Sequence, residues 1–137
     1  MKLVLLSDKF YNEYSGCMEI LTKRNRPYAC VTVEVGGVLF AIPFRHHISH
    51  KYAFITYGDC GLDYTKAVVV KDETYLSQQI PIVERKEWDA VRRGEGKILF
   101  GFKSYLNQYR RAVRHKDNPR SANILKYSSL QYFAEYI

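Results

Sequence analysis

Residues Tyr28–Pro43 read YACVTVEVGGVLFAIP and form two runs that are rich in β-branched and aromatic side chains. The pair Gly36-Gly37 separates the two runs. Because glycine adopts positive φ freely, a Gly-Gly pair in this position predicts a tight β-hairpin. The hairpin would bring the entry of its first strand, at Arg26-Pro27, next to the exit of its second strand, at Arg45-His46. We therefore expect two distant basic segments to meet at one edge of the sheet.

The second strand of this hairpin runs into a cluster of ionisable residues. The cluster consists of Arg45, His46, His47, His50 and Lys51. Histidine both gives and takes protons near neutrality, because its unperturbed pKa is about 6.5. Apolar residues on either side, at Ala41–Pro43 and Tyr52–Phe54, would anchor the cluster to the core. The cluster is thus a candidate active site, and the alternative is a solvated polar loop.

The rest of the chain alternates between strand and helix patterns. Strands are predicted at Lys2–Leu6, Ala53–Tyr57, Ala67–Val70 and around Ile80–Val83, with a turn at Gly58–Gly61. Helices are predicted at Asp8–Thr22, at Lys86–Arg93, over an amphipathic segment from Phe100 to Val113, and from Ile124 to Ile137. Together these elements predict one α+β domain over residues 1–137, with a small, twisted, mostly antiparallel sheet and packed helices.

The composition places the chain among globular proteins. Its 137 residues are 47% hydrophobic, which is enough for a core that needs no disulfide or metal. The three cysteines include no C-x-x-C pair and fit a reducing cytoplasm. The start of the chain turns polar too soon for a secretory signal, and no apolar run approaches the roughly 20 residues that span a bilayer. We therefore expect a cytoplasmic protein with no membrane partner.

The net charge of +7 is concentrated in one part of the chain. The segment Arg92–Lys126 holds ten basic and two acidic residues. Such an excess favours a polyanion partner, and 12 Tyr with 7 Phe would suit stacking on unpaired RNA bases. The candidate RNA-binding residues are Lys23, Arg24, Arg26, Tyr28, Lys103, Arg110, Arg111 and Arg114. The alternative is a helix face that charge merely keeps soluble.

The residue types in the cluster narrow the chemistry. It contains no paired carboxylates, which argues against glycoside hydrolysis and two-metal phosphoryl transfer. A zinc site is a weaker alternative. His46 and His50 have the i, i+4 spacing of H-E-x-x-H, but no Glu follows His46, and further ligands would have to be His47 or Cys60.

Cleavage of RNA without a metal or other cofactor fits these residues better. The substrate's own 2′-OH is the nucleophile, so the protein need supply only a base, an acid and fixed positive charge. The products would be a 2′,3′-cyclic phosphate and a 5′-hydroxyl. We expect Arg45, with Arg26 or Lys51, at the phosphate. His46, His47 or His50 would serve as base and acid, and the sequence does not assign these two roles.

The chain resembles the toxins of type III toxin–antitoxin systems, the ToxN/AbiQ superfamily, and in particular its TenpN-like branch. The matching stretches are LVLLSDKFYNEY, NRPYACVTVEVGGVLFAIPFRHHISHKYAF, GLDYTKAVVV and FKSYLNQYRRAV. The resemblance covers most of the chain and consists of patterns of residue type.

This resemblance implies a fold similar to the MazF/Kid barrel and a metal-independent, sequence-selective endoribonuclease in phage defence. Its substrate would be cellular or phage mRNA. Its inhibitor would be an RNA antitoxin of pseudoknot repeats, which would join copies of the toxin into an RNA-bridged protein–RNA oligomer.

The cluster departs from the family pattern. ToxN-like members have a Thr-Ser pair after the strand-ending Pro, followed by Lys or His. This chain has Arg45-His46 there, followed by the stretch from His47 to Lys51. The resemblance therefore implies the position of the site and not the identity of its general base. A non-catalytic RNA-binding module remains the alternative function.

Overall fold

A computed structural model describes residues 1–21 and 28–137. The strands are β1 Leu3–Leu5, β2 Ala29–Val35, β3 Val38–Arg45, β4 Ala53–Tyr57, β5 Cys60–Asp63 and β6 Val68–Val69. The α-helices are α1 Asp8–Glu13, α2 Arg85–Arg93, α3 Glu95–Arg114 and α4 Pro119–Tyr127. Short 3-10 helices span Tyr64–Lys66, Glu73–Tyr75 and Ser129–Tyr136. The predicted α+β class is confirmed.

Strands β2 and β3 form the hairpin that the sequence predicts. Their antiparallel register places Val35 opposite Val38 and Cys30 opposite Pro43. The two turn glycines, at positions 36 and 37, have φ values of 59° and 78°, as a type I′ turn requires. Three predicted RNA-binding residues at the hairpin entry, Lys23, Arg24 and Arg26, lie outside the described residues. The predicted meeting of Arg26 with the histidine cluster therefore stays a prediction.

The hairpin is the centre of a six-stranded antiparallel sheet. The strand order is β1-β2-β3-β5-β4, and β6 also pairs with β3. Strand β3 pairs with β6 at Phe40 and Ala41, and with β5 at Phe44 and Arg45. Strands β1 and β4 lie at the two ends of this order, so the described strands form an open sheet. A closed MazF/Kid-like barrel is not confirmed.

Strand β5 corrects the prediction of a turn at Gly58–Gly61. The turn ends earlier, and β5 begins at Cys60. A Cβ at Gly61 would overlap the backbone carbonyl of Phe54, so glycine is required where β4 and β5 approach each other. Pairing with β5 also extends β3 beyond Pro43. Arg45 therefore lies on a strand and not in the loop that follows it.

Two other predicted elements are wrong. The helix expected from Asp8 to Thr22 ends at Glu13, and Met18, which matched its apolar spacing, is 90% exposed. Among the described residues no strand forms around Ile80–Val83, where the Ile80 and Ile82 side chains are exposed. In the first segment the helix ends before Gly16, whose φ of 85° is not helical. In the second, the apolar residues pair with no strand of the described part of the chain.

Helix α3 packs an apolar face against the sheet, but Phe100 and Val113, the two ends of the predicted amphipathic segment, are exposed. Its buried side chains include Phe102 and Tyr105, and the ring of Phe102 lies 5.0 Å from that of Phe40 in β3. The predicted last helix is divided into α4 and a 3-10 helix, and Asn118 caps α4 through a hydrogen bond from the Arg120 N–H. Within the described ranges, no helix combines the length and apolarity needed to cross a membrane.

Replacing Gly37 by Ala should lower the free energy of unfolding by about 1 kcal/mol or more. The native φ of 78° is the left-handed region, where a Cβ is strained. Gly96→Ala is the matched control, because Gly96 lies in α3 with open space around it and alanine favours a helix. Urea unfolding followed by circular dichroism measures both changes. Equal losses in the two variants would contradict this account of the turn.

Candidate functional site

The ends of β3 and β5 bring a cation and a buried carboxylate together. Arg45 ends β3 and Asp63 ends β5. The Nη1 of Arg45 donates a hydrogen bond of 2.9 Å to Oδ2 of Asp63. The Asp63 side chain is fully buried, whereas that of Arg45 is 33% exposed. Since a buried carboxylate is costly without partners, this pair holds the guanidinium of Arg45 in place.

The other oxygen of Asp63 organises two more residues. Oδ1 accepts hydrogen bonds from the backbone N–H of Thr65, at 2.9 Å, and from its hydroxyl, at 2.6 Å. The same oxygen lies 3.2 Å from Nε2 of His50. Asp63 thus caps the 3-10 helix Tyr64–Lys66 and places Arg45 and His50 around a single negative charge.

The imidazole of His50 has a partner at each nitrogen. Its Nδ1 accepts a hydrogen bond of 3.1 Å from the backbone N–H of Tyr52. Because Nδ1 is an acceptor, the ring proton is assigned to Nε2, the nitrogen that faces Asp63. The His50 side chain is 33% exposed. The ring is therefore oriented by the protein and still reachable from solvent.

Beside Arg45 and His50 lies a cavity of about 660 Å³. Its cationic lining residues are Arg45, Lys51, Lys66 and Arg120. Its aromatic lining residues are Tyr52, Tyr105 and Tyr127, and His50, Thr65, Asn123 and Ile124 complete the wall. No aspartate or glutamate of the described chain lines it. We call this space the cationic cavity.

A hydrogen bond at the edge of the cationic cavity joins helix α4 to the 3-10 helix at Tyr64–Lys66. The Nζ of Lys66 donates a hydrogen bond of 3.0 Å to the backbone carbonyl of Tyr127. Burial lowers the pKa of Lys66, and the nearby carboxylate of Asp63 opposes this shift. The ammonium group of Lys66 is thus a partly desolvated cation, which interacts more strongly with an anion than a surface lysine does.

The structure separates the predicted catalytic residues into two groups. Arg45, His50 and Lys51 line the cationic cavity, whereas His46 and His47 are not among its lining residues. His46 Nδ1 lies 3.3 Å from the sulfur of Cys60. His47 Nδ1 lies 3.2 Å from Oδ2 of Asp59, and its side chain is 92% exposed. His47 therefore contacts the turn between β4 and β5, and His46 contacts the first residue of β5.

The zinc alternative lacks an assembled ligand set in the structure. Its proposed ligands are divided, because His46 contacts Cys60 while His50 contacts Asp63. Over residues 1–21 and 28–137, no three His, Cys, Asp or Glu side chains are grouped as a metal site would require. The geometry thus gives no support to zinc at the histidine cluster.

The predicted RNA-binding residues of α3 lie apart from the cationic cavity. All four are exposed, and none is among the residues that line it: Lys103, Arg110, Arg111 and Arg114. The Nε of Arg110 donates to the backbone carbonyl of Ile137. Tyr28 is half-buried and borders a small crevice together with Pro43 and Lys66, so Lys66 connects it to the edge of the cationic cavity.

Sequence reasoning missed three charged residues of this site. Asp63 and Lys66 belong to the stretch GLDYTK, which has the pattern of a connection between two strands. An Asp two residues before a Thr is typical of an Asx turn and could have indicated the cap. Arg120 lies in the basic segment, and no signal in the sequence distinguishes it from its neighbours.

Comparison with known proteins gives no family assignment. No protein-family model, curated protein or solved structure matches the chain. A functional assignment therefore depends on the geometry of the cationic cavity.

Arg45→Ala should lower the free energy of unfolding by about 2 kcal/mol, because it leaves the Asp63 carboxylate buried without its cation. This is less than the cost for a fully buried pair, since a third of the Arg45 side chain is exposed. The double variant Arg45→Ala/Asp63→Asn should be less destabilised than the sum of the two single variants. Urea unfolding measures the three changes, and strictly additive losses would show that the pair is not coupled.

Proposed function

We propose that the cationic cavity binds single-stranded RNA and that this protein is an endoribonuclease toxin of a type III toxin–antitoxin system. The observation that carries the proposal is the lining of the cavity, where the described residues supply four cations and three tyrosines but no carboxylate. Cations bind the phosphates of RNA, and aromatic rings stack on its bases. The imidazole of His50 at the same wall adds a group that can transfer protons.

Cleavage would begin with attack of the RNA 2′-OH on the adjacent phosphorus. The 2′-oxygen loses its proton to the base and forms a bond to phosphorus, while the bond to the 5′-oxygen breaks. The departing 5′-oxygen takes up a proton from water, so the products are a 2′,3′-cyclic phosphate and a 5′-hydroxyl. Negative charge on the phosphoryl oxygens grows in the transition state. Arg45 and Lys66 are the residues that we assign to this charge. Asp63 pre-organises Arg45 by binding its Nη1.

We assign proton transfer to His50, because it is the histidine that lines the cationic cavity among the described residues. The backbone N–H of Tyr52 occupies its Nδ1. The imidazole can therefore accept the 2′-OH proton at Nδ1 only after the ring has turned away from Tyr52. Catalytic hydrogen bonds commonly rearrange when a substrate binds. Lys51, next to His50 in the chain, would hold the scissile phosphate.

The biological setting of the proposal comes from the resemblance to TenpN-like toxins. The substrate would be cellular or phage mRNA in the cytoplasm. The antitoxin would be an RNA of pseudoknot repeats that binds the same cavity and joins copies of the toxin into an RNA-bridged oligomer. We also propose that the fold is related to that of the MazF/Kid toxins, although the described strands form an open sheet and not a closed barrel.

A second candidate function is non-catalytic RNA binding. It is favoured by one observation, namely that both nitrogens of His50 have protein partners. In that case Asp63 and His50 would serve only to position the cations that line the cavity.

His50→Ala should abolish RNA cleavage while changing RNA affinity by less than about threefold, because the four cations of the cavity remain. The assay incubates purified protein with single-stranded RNA in excess chelator and identifies the product ends. Cyclic-phosphate ends are expected for the native chain.

His47→Ala is the matched control, since His47 belongs to the same loop but does not line the cationic cavity. It should cleave as the native chain does. Intact RNA with the native protein would select the non-catalytic candidate, and cleavage that needs added zinc would select the metal-dependent one. Equal activity of the His50→Ala variant would remove His50 from the mechanism.

Lys51→Ala/Arg120→Ala should weaken RNA binding and reduce the slope of log affinity against log salt by about 2, one for each phosphate that the variant no longer neutralises. Both residues line the cationic cavity. The comparison variant replaces Arg110, Arg111 and Arg114 on α3 and tests the predicted basic helix directly. A reduced slope in this comparison variant alone would place the RNA on α3 and contradict the cavity as the phosphate site.

A further inference from the structure

A second, smaller groove lies beside the cationic cavity. It has a volume of about 320 Å³ and runs between the start of β4 and the outer side of α3. Lys51, Tyr52 and Tyr105 line both spaces. A chain that leaves the cationic cavity over the rim formed by Lys51 and Tyr52 therefore enters this groove directly. We call it the α3 groove.

Phe100 on α3 is the most exposed aromatic side chain of the α3 groove. It is 78% exposed, while Phe102 and Tyr105 on the same helix are buried in the core. Exposed apolar surface of this size is unfavourable in water. The ring of Phe100 is therefore available as a stacking surface.

The charge of the α3 groove matches that of the cationic cavity. Lys51 and Lys97 line it, and no acidic residue of the described chain does. Lys51 Nζ also lies 5.3 Å from the centre of the Tyr52 ring, so cation and aromatic ring share the rim. An aromatic surface between lysines is the combination that binds successive nucleotides of a single strand.

A close helix contact fixes the floor of the α3 groove. Tyr64 donates a hydrogen bond of 3.2 Å from its hydroxyl to the backbone carbonyl of Ile98 on α3. A Cβ at Gly101 would lie only 2.6 Å from the oxygen of this hydroxyl, so glycine allows α3 to pack against Tyr64. The groove is thus held open by the core and does not depend on surface side chains alone.

We propose that the α3 groove is a second nucleotide subsite, in which Phe100 stacks on the base next to the one in the cationic cavity and Lys97 contacts the flanking phosphate. The subsite rests on the proposed RNA binding by the cationic cavity and extends it to a neighbouring nucleotide. Because of this second subsite, an oligonucleotide should bind more tightly than a single nucleotide does.

The test compares the binding of a short 2′-O-methyl oligouridine, which lacks the attacking hydroxyl, with that of uridine 3′-phosphate. Phe100→Ala should weaken the oligonucleotide roughly fivefold to a hundredfold, because one base loses its stacking partner. Its affinity for uridine 3′-phosphate and its salt slope should not change. Phe100→Trp should retain the affinity, and Lys97→Ala should lower the salt slope by about 1.

Ile82→Ala is the matched control, because Ile82 is 96% exposed but does not line the α3 groove. If the native chain binds or cleaves RNA and Phe100→Ala binds the oligonucleotide as tightly as the native chain does, the subsite is overturned. The proposed function is then unaffected. Absence of RNA binding by the native chain would overturn both. A change of oligomeric state in Phe100→Ala without RNA would instead assign the groove to a second copy of the chain.

Discussion

A fully buried carboxylate, that of Asp63, is the constraint on which the site depends. Its two oxygens contact Arg45, Thr65 and His50, and each of these residues also lines the cationic cavity. Such a carboxylate is stable in the interior only while these partners stay in position. The same interactions that satisfy the charge therefore pre-organise a guanidinium and an imidazole at the cavity wall. Stability and proposed function depend on the same contacts.

The backbone topology explains why these residues meet. The glycine turn sets the register of β2 and β3, and the length of β3 carries Arg45 to the end of the sheet. Strand β5 pairs with that end and delivers Asp63 from a position eighteen residues later in the chain. Helix α4 then closes the far side of the cavity, where Lys66 is hydrogen-bonded to Tyr127. Three separate segments thus supply one cationic surface.

The sequence predicts those parts of this arrangement that local patterns encode. The Gly36-Gly37 turn, the amphipathic α3 and the start of α1 at Asp8, where Ser7 is the N-cap, follow from backbone and capping preferences that act over a few residues. Strand β5 could not be predicted, because its pairing with β3 and β4 is a tertiary contact and its sequence contains a glycine.

The same difference applies to the residues of the site. The histidine cluster is visible in the sequence because its members are adjacent in the chain. However, His50 lines the cationic cavity whereas His46 contacts Cys60, and this separation depends on how the loop after β3 folds. Asp63, Lys66 and Arg120 come from other segments, so no pattern of spacing joins them to Arg45. The sequence predicts that the basic residues of α3, such as Arg110, bind RNA, but only the folded chain shows that they do not line the cationic cavity.

Nuclear magnetic resonance mapping of a bound 2′-O-methyl oligouridine tests the central claim most directly. The account predicts that the largest amide shifts occur at Lys51, Thr65 and Lys66, around the wall that Asp63 organises. Shifts confined to the outer face of α3, at Arg110 and Arg114, would contradict it.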